Sequence, residues 1–133
     1  MGGIYKIMTH FIIDTNVLLW YFWDNKRIKS IKNLINSDEI QIHVSVASFW
    51  EILTKIRSGK LNVDINEIYQ FAEKYAFHEL PITGNILKAY SELLKIHHDP
   101  FDHMLLAQAI TCPMRLITGD AILAEYSSLV MVI

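Results

Sequence analysis

Residues 10–20 read HFIIDTNVLLW and decide the fold, because a short strand pattern turns into an apolar helical pattern at one aspartate. The first five letters are typical of a buried strand, and a helix is expected from Asn16 to about Trp23, with Thr15 as its N-cap. A strand that leads directly into a helix is the repeating unit of folds built on parallel sheets. Asp14 is therefore expected at the carboxyl end of the first strand.

The rest of the chain alternates between strand and helix periodicity. Further strands are predicted at 40–45, 78–82, 115–118 and 129–133. Further helices are predicted at about 28–36, at 46–57, from Asp64 or Asn66 to Phe77, after Thr83, from Pro100 and at 121–126. This order predicts an α/β class: one Rossmann-like domain whose mainly parallel sheet of four to five strands is flanked by helices. We expect the domain to span 10–133, with 1–9 as a partly frayed lead-in.

Length and composition predict one folded domain. The chain has 133 residues, of which 52% are hydrophobic and 20% charged, so a sizeable core is expected and a disordered chain is excluded. The longest apolar run, 17–23, is too short to cross a bilayer, and no secretory leader is recognised, which predicts a soluble cytoplasmic protein. The single cysteine, Cys112, allows no internal disulfide and is expected to be a small core residue.

Charge is unevenly distributed around a net value of −2. Residues 1–60 carry eight Lys/Arg and five Asp/Glu, whereas residues 61–133 carry four and nine. The total argues against nucleic-acid binding through overall basicity. Two basic runs are compatible either with solvated helix faces or with phosphate contacts: Lys26, Arg27, Lys29 and Lys32 in one, and Lys55, Arg57 and Lys60 in the other.

Four acids from distant segments are placed by the predicted elements at one edge of the sheet. Asp14 ends the first strand, Asp120 follows the fourth, Glu51 lies in the helix after the second, and Asp102 lies in the first turn of the helix before the fourth. Open parallel sheets bind ligands outside the carboxyl ends of their strands. The four carboxylates are therefore candidates for a shared site.

Each acid also has a purely structural interpretation. Asp14 and Asp120 are compatible with turn or helix-capping residues, and Glu51 has Lys55 four residues on, the spacing of an exposed helical ion pair. In the stretch HHDPFDHMLLAQA, Pro100 suits the first helical position, which makes Asp99 the N-cap. Asp102 then lies where the helix dipole favours a negative charge.

Carboxylates gathered in a low-dielectric cleft repel one another, so a cation is expected to share their site. An all-oxygen ligand set suits Mg²⁺ or Mn²⁺, whereas Zn²⁺ prefers histidine or cysteine. Such ions can activate water and stabilise the leaving oxygen in attack on a phosphodiester. The pattern predicts metal-dependent hydrolysis of nucleic acid.

Taken together, five strings resemble the PIN-domain ribonucleases of the VapC toxin type: IIDTNVLLW, VSVASFWEILTKIRSGKL, LPIT, HHDPFDHMLLAQA and LITGD. The resemblance covers nearly the whole chain from Phe11. It implies a PIN-like domain and a Mg²⁺- or Mn²⁺-dependent endoribonuclease toxin that a cognate antitoxin neutralises. It also implies a catalytic and metal-binding quartet with supporting side chains around it. The quartet is Asp14, Glu51, Asp102 and Asp120, and the possible supporting residues are Asp99, Thr118, Thr15 and Asn16.

Histidines mark a departure from that family. The subgroup commonly has arginine where this chain has His98 and His103, so RNA binding that strengthens at mildly acidic pH is one hypothesis. A second is a metal-independent ribonuclease in which His97, His98 or His103 serves as acid and base. A non-catalytic PIN-like module that binds RNA or protein is the third. The other three histidines, His10, His43 and His78, are expected to be isolated and to have no functional role.

The segment NVLLWYFW predicts a helix that is apolar nearly all round. Such a helix either fills the core or meets another chain. The family resemblance implies a homodimer and an antitoxin segment on hydrophobic surface near the active cleft, with one antitoxin side chain entering the acidic site.

Overall fold

A fully parallel sheet of five strands organises this computed structural model, which describes residues 8–93 and 99–133. The strands are β1 (Thr9–Ile13), β2 (Ile40–Ser45), β3 (His78–Leu80), β4 (Arg115–Thr118) and β5 (Val130–Val132). Their spatial order is β3-β2-β1-β4-β5, with every neighbouring pair parallel. The predicted class and the upper strand number are confirmed.

Six α-helices among the described residues cover the two faces of the sheet. They are α1 (Thr15–Phe22), α2 (Lys32–Ile35), α3 (Val46–Arg57), α4 (Ile65–Lys74), α5 (Gly84–Glu92) and α6 (Pro100–Thr111). Side chains alternate along β1, so Phe11 and Ile13 enter one core while Ile12 enters another. The first core packs against α1, α3 and α4, and the second against α6.

Strand order reverses beside β1, and this reversal creates the crevice that matters for function. The chain passes from β1 to β2 and β3 on one side, then returns through α5 and α6 to place β4 on the other side. Helices after strands on opposite sides of such a point diverge, which leaves an opening at the carboxyl edge. The opening lies between the ends of β1 and β4.

Several predicted boundaries differ in the structure. Asp14, not Thr15, caps α1, because its carboxylate accepts the Val17 N–H and lets the helix begin one residue earlier. The helix expected at 28–36 is divided into a 3₁₀ helix, Lys26–Ser30, and the short α2, because Ile31 leaves helical geometry at φ −121° and ψ 2°.

The fourth helix ends earlier than predicted, at Lys74 instead of Phe77. Ala76 turns the chain in a left-handed conformation, with φ 54°, and the Gln41 side-chain amide donates to its carbonyl at 2.9 Å. The turn places Phe77 against the first core instead of continuing the helix. Strands β3 and β5 are each shorter than their predicted segments, and β1 begins at Thr9, inside the expected lead-in.

Helix α1 lies mostly inside the protein, as one of its two predicted interpretations required. Val17, Leu18 and Leu19 are buried, whereas Trp23 at its C-terminal end is 50% exposed. Cys112 is only half-buried at the end of α6, so its assignment to the core was wrong. No helix in the described ranges is both long and apolar enough to cross a membrane.

Candidate active site

Acidic side chains line a cleft of about 220 Å³ at the carboxyl edge of β1 and β4, here named the acidic cleft. All four acids expected to converge are in its wall, together with three of the predicted supporting residues and one lysine. The lining residues are Asp14, Thr15, Asn16, Glu51, Lys55, Asp99, Asp102 and Asp120. Five carboxylates around one small opening create a strongly negative site.

Asp14 is the most constrained of these acids. Its Oδ1 accepts the Val17 N–H at 2.8 Å and its Oδ2 accepts the Thr118 hydroxyl at 2.5 Å. Its own N–H donates to the Ile117 carbonyl at 3.0 Å, which extends the β1–β4 pairing. Burial raises the pKa of Asp14, while hydrogen bonds from Thr118, Val17 and Gly119 act to lower it.

Thr118 connects the two strand-end acids. Its hydroxyl donates to Asp14 and accepts the backbone N–H of Asp120 at 3.1 Å, so one buried side chain fixes both segments. Asp120 in turn caps a 3₁₀ helix, Ala121–Glu125, by accepting the Ile122 N–H at 3.0 Å. The predicted supporting position of Thr118 therefore has a specific geometry, although the hydroxyl is not part of the cleft lining.

Gly119, between these two residues, packs closely against the Trp20 ring. A Cβ at this position would lie 2.5 Å from the Trp20 ring, well inside van der Waals contact. The absence of a side chain lets the end of β4 pass close to α1. Asp120 can then approach the same opening as Asp14.

Glu51 combines the two interpretations considered for it. Its side chain is 10% exposed, and the Lys55 ammonium lies 3.0 Å from its Oε2. The expected helical ion pair is present, and both partners line the acidic cleft. Lys55 is thus a cleft residue that sequence reasoning had placed only in a basic run and an ion pair.

Asp99 and Asp102 enter the cleft from the start of α6. Asp99 caps this helix by accepting the Phe101 N–H at 2.9 Å, with Pro100 in the first turn as expected. Asp102, three residues after Asp99, is half-buried. Burial, followed by the negative charge of Asp99 and then of the other cleft acids, raises the pKa of Asp102 to about 8.

The oxygen ligands of the acidic cleft are chemically suited to a hard divalent cation. The described part of the chain contains no group of three His, Cys, Asp or Glu side chains already arranged to hold a metal ion. The cleft nevertheless offers carboxylates and amide or hydroxyl oxygens, the ligands preferred by Mg²⁺ and Mn²⁺. Thr15 Oγ1, also in this wall, is buried without a hydrogen-bond partner, which fits a role toward a bound ion or its water.

The histidines proposed as an alternative acid–base pair receive no support from His103. His103 is buried, its Nε2 lies 3.0 Å from the Tyr126 hydroxyl, and it does not line the acidic cleft. His97 and His98 lie outside the described residues. The hypothesis for the last two therefore stays a prediction.

His10, His43 and His78 are not isolated, contrary to expectation. They form a row on β1, β2 and β3, with His10 Nδ1 2.9 Å from His43 Nε2 and the His43 and His78 rings 5.3 Å apart. Burial first, and then the neighbouring histidines, lower the pKa of His43 to about 4. Only the strand register brings these residues together, so spacing along the chain gave no signal.

Comparison with solved structures shows similar folds over nearly the whole chain. A toxin–antitoxin complex from Klebsiella pneumoniae contains a chain with TM-score 0.65 and 18% identity, covering 90% of this chain and 94% of that one. VapBC2 from Rickettsia felis, bound to a promoter DNA fragment, gives TM-score 0.68 and 13% identity, with coverages of 94% and 98%. PAE2754 from Pyrobaculum aerophilum gives 0.57 and 15%, with coverages of 95% and 86%. At these identities the likeness establishes the fold.

Sequence comparison gives the family. A search of curated proteins finds no significant match. The model of the PIN domain, in contrast, matches residues 11–129, from the first core residue of β1 to the residue before β5. That range contains every residue of the acidic cleft. The match shows that the chain belongs to the PIN domain family.

Proposed function

We propose that this chain is a metal-dependent endoribonuclease and the toxin component of a toxin–antitoxin system. The carrying observation is the acidic cleft, where Asp14, Glu51, Asp102 and Asp120 share one opening with Lys55 as the counter-charge. A nuclease is the enzyme class that the PIN family supports, and RNA as substrate is the finer proposal.

The four acids are proposed as both the catalytic and the metal-binding residues, with Mg²⁺ or Mn²⁺ as the ion. When bound, a divalent cation supplies positive charge that polarises water and the phosphodiester for in-line attack. Burial and mutual repulsion of the carboxylates, visible in the raised pKa of Asp102, provide the free energy that such a cation would relieve.

Thr118, beside the cleft, and the remaining cleft residues are proposed to position these groups. Thr118 holds Asp14 and the Asp120 backbone in a fixed relation, and such supporting hydrogen bonds orient metal ligands. Thr15 and Asn16 border the same opening and are assigned to water or substrate oxygens. Asp99 is assigned first to capping α6 and second to a contact with metal-bound water.

An antitoxin, a homodimer and a cytoplasmic location complete the proposal. One neighbour is a chain of a toxin–antitoxin complex and another is VapBC2 on promoter DNA, which supports a cognate antitoxin here. Large apolar side chains exposed on the described surface, among them Leu87 and Ile110, support protein contacts. An antitoxin side chain, such as arginine, is expected to enter the acidic cleft and replace the metal.

The test is cleavage of total RNA by antitoxin-free protein with Mg²⁺ or Mn²⁺, with and without EDTA. The variant Asp102→Asn keeps the shape of a cleft acid without its charge, and Asp38→Asn is a matched control at an exposed aspartate outside the acidic cleft. The proposal expects cuts with 5′-phosphate and 3′-hydroxyl ends, lost in EDTA and in Asp102→Asn but retained in Asp38→Asn.

Two other outcomes would replace the proposal. Cuts that survive EDTA and leave 2′,3′-cyclic phosphate would assign the chemistry to His97 or His98. Absence of cutting, with metal binding verified, would indicate a PIN-like binding module.

A further inference from the structure

An apolar pocket of about 250 Å³ lies between α3, α5 and α6, and we name it the Trp50 pocket. No charged side chain lines it, and its walls include Trp50, Tyr90, Phe101 and Met104. Trp50 is 60% exposed, more than any other large apolar side chain in the described ranges. Its ring packs edge-to-face on Phe101, with centroids 5.2 Å apart, so an exposed indole is held in place.

A third, larger opening of about 460 Å³ lies between the Trp50 pocket and the acidic cleft and shares lining residues with both. This connecting groove shares Glu51, Lys55 and Asp99 with the acidic cleft. It shares Pro100 and Phe101 with the Trp50 pocket. Carboxylates, lysines and an aromatic ring therefore follow one another along a single surface.

The charges along the connecting groove suit an RNA strand. Lys55 and Lys60 both line it, and Lys55 also lines the acidic cleft. Phosphate groups need such cations beside an opening that is otherwise negative. Two lysines beside the cleft acids match the phosphates of a strand that leads into the cleft, so the charge pattern favours nucleic acid as the occupant.

We propose that Trp50 stacks on an unpaired base of the substrate RNA next to the cleaved phosphodiester, while the adjoining phosphates contact Lys55 and Lys60. The inference rests on the proposed function and deepens it, because it makes the substrate a single-stranded segment. Stacking on aromatic rings tolerates any base sequence but requires that the base be unpaired. Trp50 is then a residue that positions substrate without taking part in the chemistry.

The test combines kinetics with tryptophan fluorescence, using a 12-nucleotide adenosine RNA and a blunt RNA duplex of equal length as probes. Binding is measured in EDTA at low salt, and cleavage of the single strand is measured with Mn²⁺. The variants are Trp50→Ala and Trp50→Phe, with Trp23→Ala as the control, since Trp23 is 50% exposed but outside all three openings. Circular dichroism verifies that each variant is folded.

Single-stranded RNA is expected to quench the emission assigned to Trp50, whereas the duplex is not. Trp50→Ala should raise KM about 5- to 150-fold with little change in kcat, Trp50→Phe should recover most of the loss, and Trp23→Ala should match the parent protein. An unchanged KM in Trp50→Ala, or quenching by RNA that persists in Trp50→Phe, would overturn the inference.

Failure of the proposed function gives a different result from failure of this inference. If no RNA is cut but Trp50-dependent quenching by the single strand persists, the enzyme proposal fails and the base-stacking site stands. If Trp50 emission responds to protein concentration instead of RNA, and Trp50→Ala changes the oligomeric state, the surface is a protein interface and the inference is wrong.

Discussion

Replacing Asp102 by asparagine should stabilise the metal-free protein while it destroys the proposed activity. In the unfolded chain an aspartate titrates near its ordinary pKa of 3.8, whereas in the acidic cleft the pKa of Asp102 is about 8. Between these two pH values the folded protein therefore binds close to one proton more than the unfolded chain, and stability falls as pH rises through that window. The loss is about 1.4 kcal/mol per pH unit, or about 4 kcal/mol by pH 7 without solvent screening.

Partial exposure of Asp102 reduces this value, so we expect Asp102→Asn to gain about 1–2 kcal/mol of unfolding free energy at pH 7 in EDTA. The gain should shrink toward zero at pH 4, where Asp102 is largely protonated in the folded protein and about half protonated in the unfolded chain, since this pH is close to its ordinary pKa. Urea unfolding of the two proteins at pH 4, 5.5 and 7 measures the difference, with the exposed Asp38→Asn as a control that shows no such trend. An Asp102→Asn protein that is less stable at pH 7, or a difference independent of pH, would refute the reasoning.

Four other predictions concern the acidic cleft, its surroundings and the histidine row. Thr118→Val should cost about 1–3 kcal/mol and weaken Mn²⁺ binding about 10- to 100-fold, because the buried Asp14 carboxylate loses the hydrogen bond that orients it; an unchanged affinity in calorimetry would contradict this. Gly119→Ala should cost about 1–3 kcal/mol in urea unfolding, because its Cβ meets the Trp20 ring; a neutral result would mean that the ring moves freely. Because the pKa of His43 is lowered, this histidine is protonated in the unfolded chain but not in the folded protein as pH drops from about 6.5 to about 4, and stability falls over that range. His43→Phe should abolish about 1–2 kcal/mol of that loss, and an unaltered pH dependence of stability would contradict this role of His43. Mn²⁺ affinity should rise between pH 6 and 8, with release of up to one proton on binding as Asp102 ionises. Calorimetry in two buffers of different ionisation enthalpy measures this proton release, and a value of zero would contradict the prediction.

Sequence patterns predicted the parts of this fold that depend on local periodicity and on parallel topology. The strand-to-helix change at Asp14 defined the carboxyl edge, and alternation of elements defined a parallel sheet, so the position of Asp120 at the same edge followed. Glu51 and Asp102 lie on helices that flank the point where the strand order reverses, so the same topology also predicted their position in the cleft.

Features that depend on strand register or on contact between distant side chains were not predictable. The pairing of His10 with His43 needs the diagonal offset of β1 on β2, which no periodicity encodes. The contact of Trp50 with Phe101 joins two helices about fifty residues apart along the chain, and no local pattern around Trp50 indicates it. Such contacts follow from three-dimensional packing and leave no mark in a single sequence.

Helix capping and metal chemistry are not competing explanations for the acids of this site. Asp14, Asp99 and Asp120 each use one carboxylate oxygen to accept a backbone N–H at the start of a helix. That hydrogen bond fixes the carboxylate in position, and the positive end of the helix dipole offsets part of its charge. Asp102 lies inside the first turn of α6 instead of at its N-cap, and it is the acid whose pKa rises to about 8. The caps thus help several carboxylates to share one cleft, but burial and the neighbouring carboxylates still raise the pKa of both Asp14 and Asp102, beside the proposed cation site.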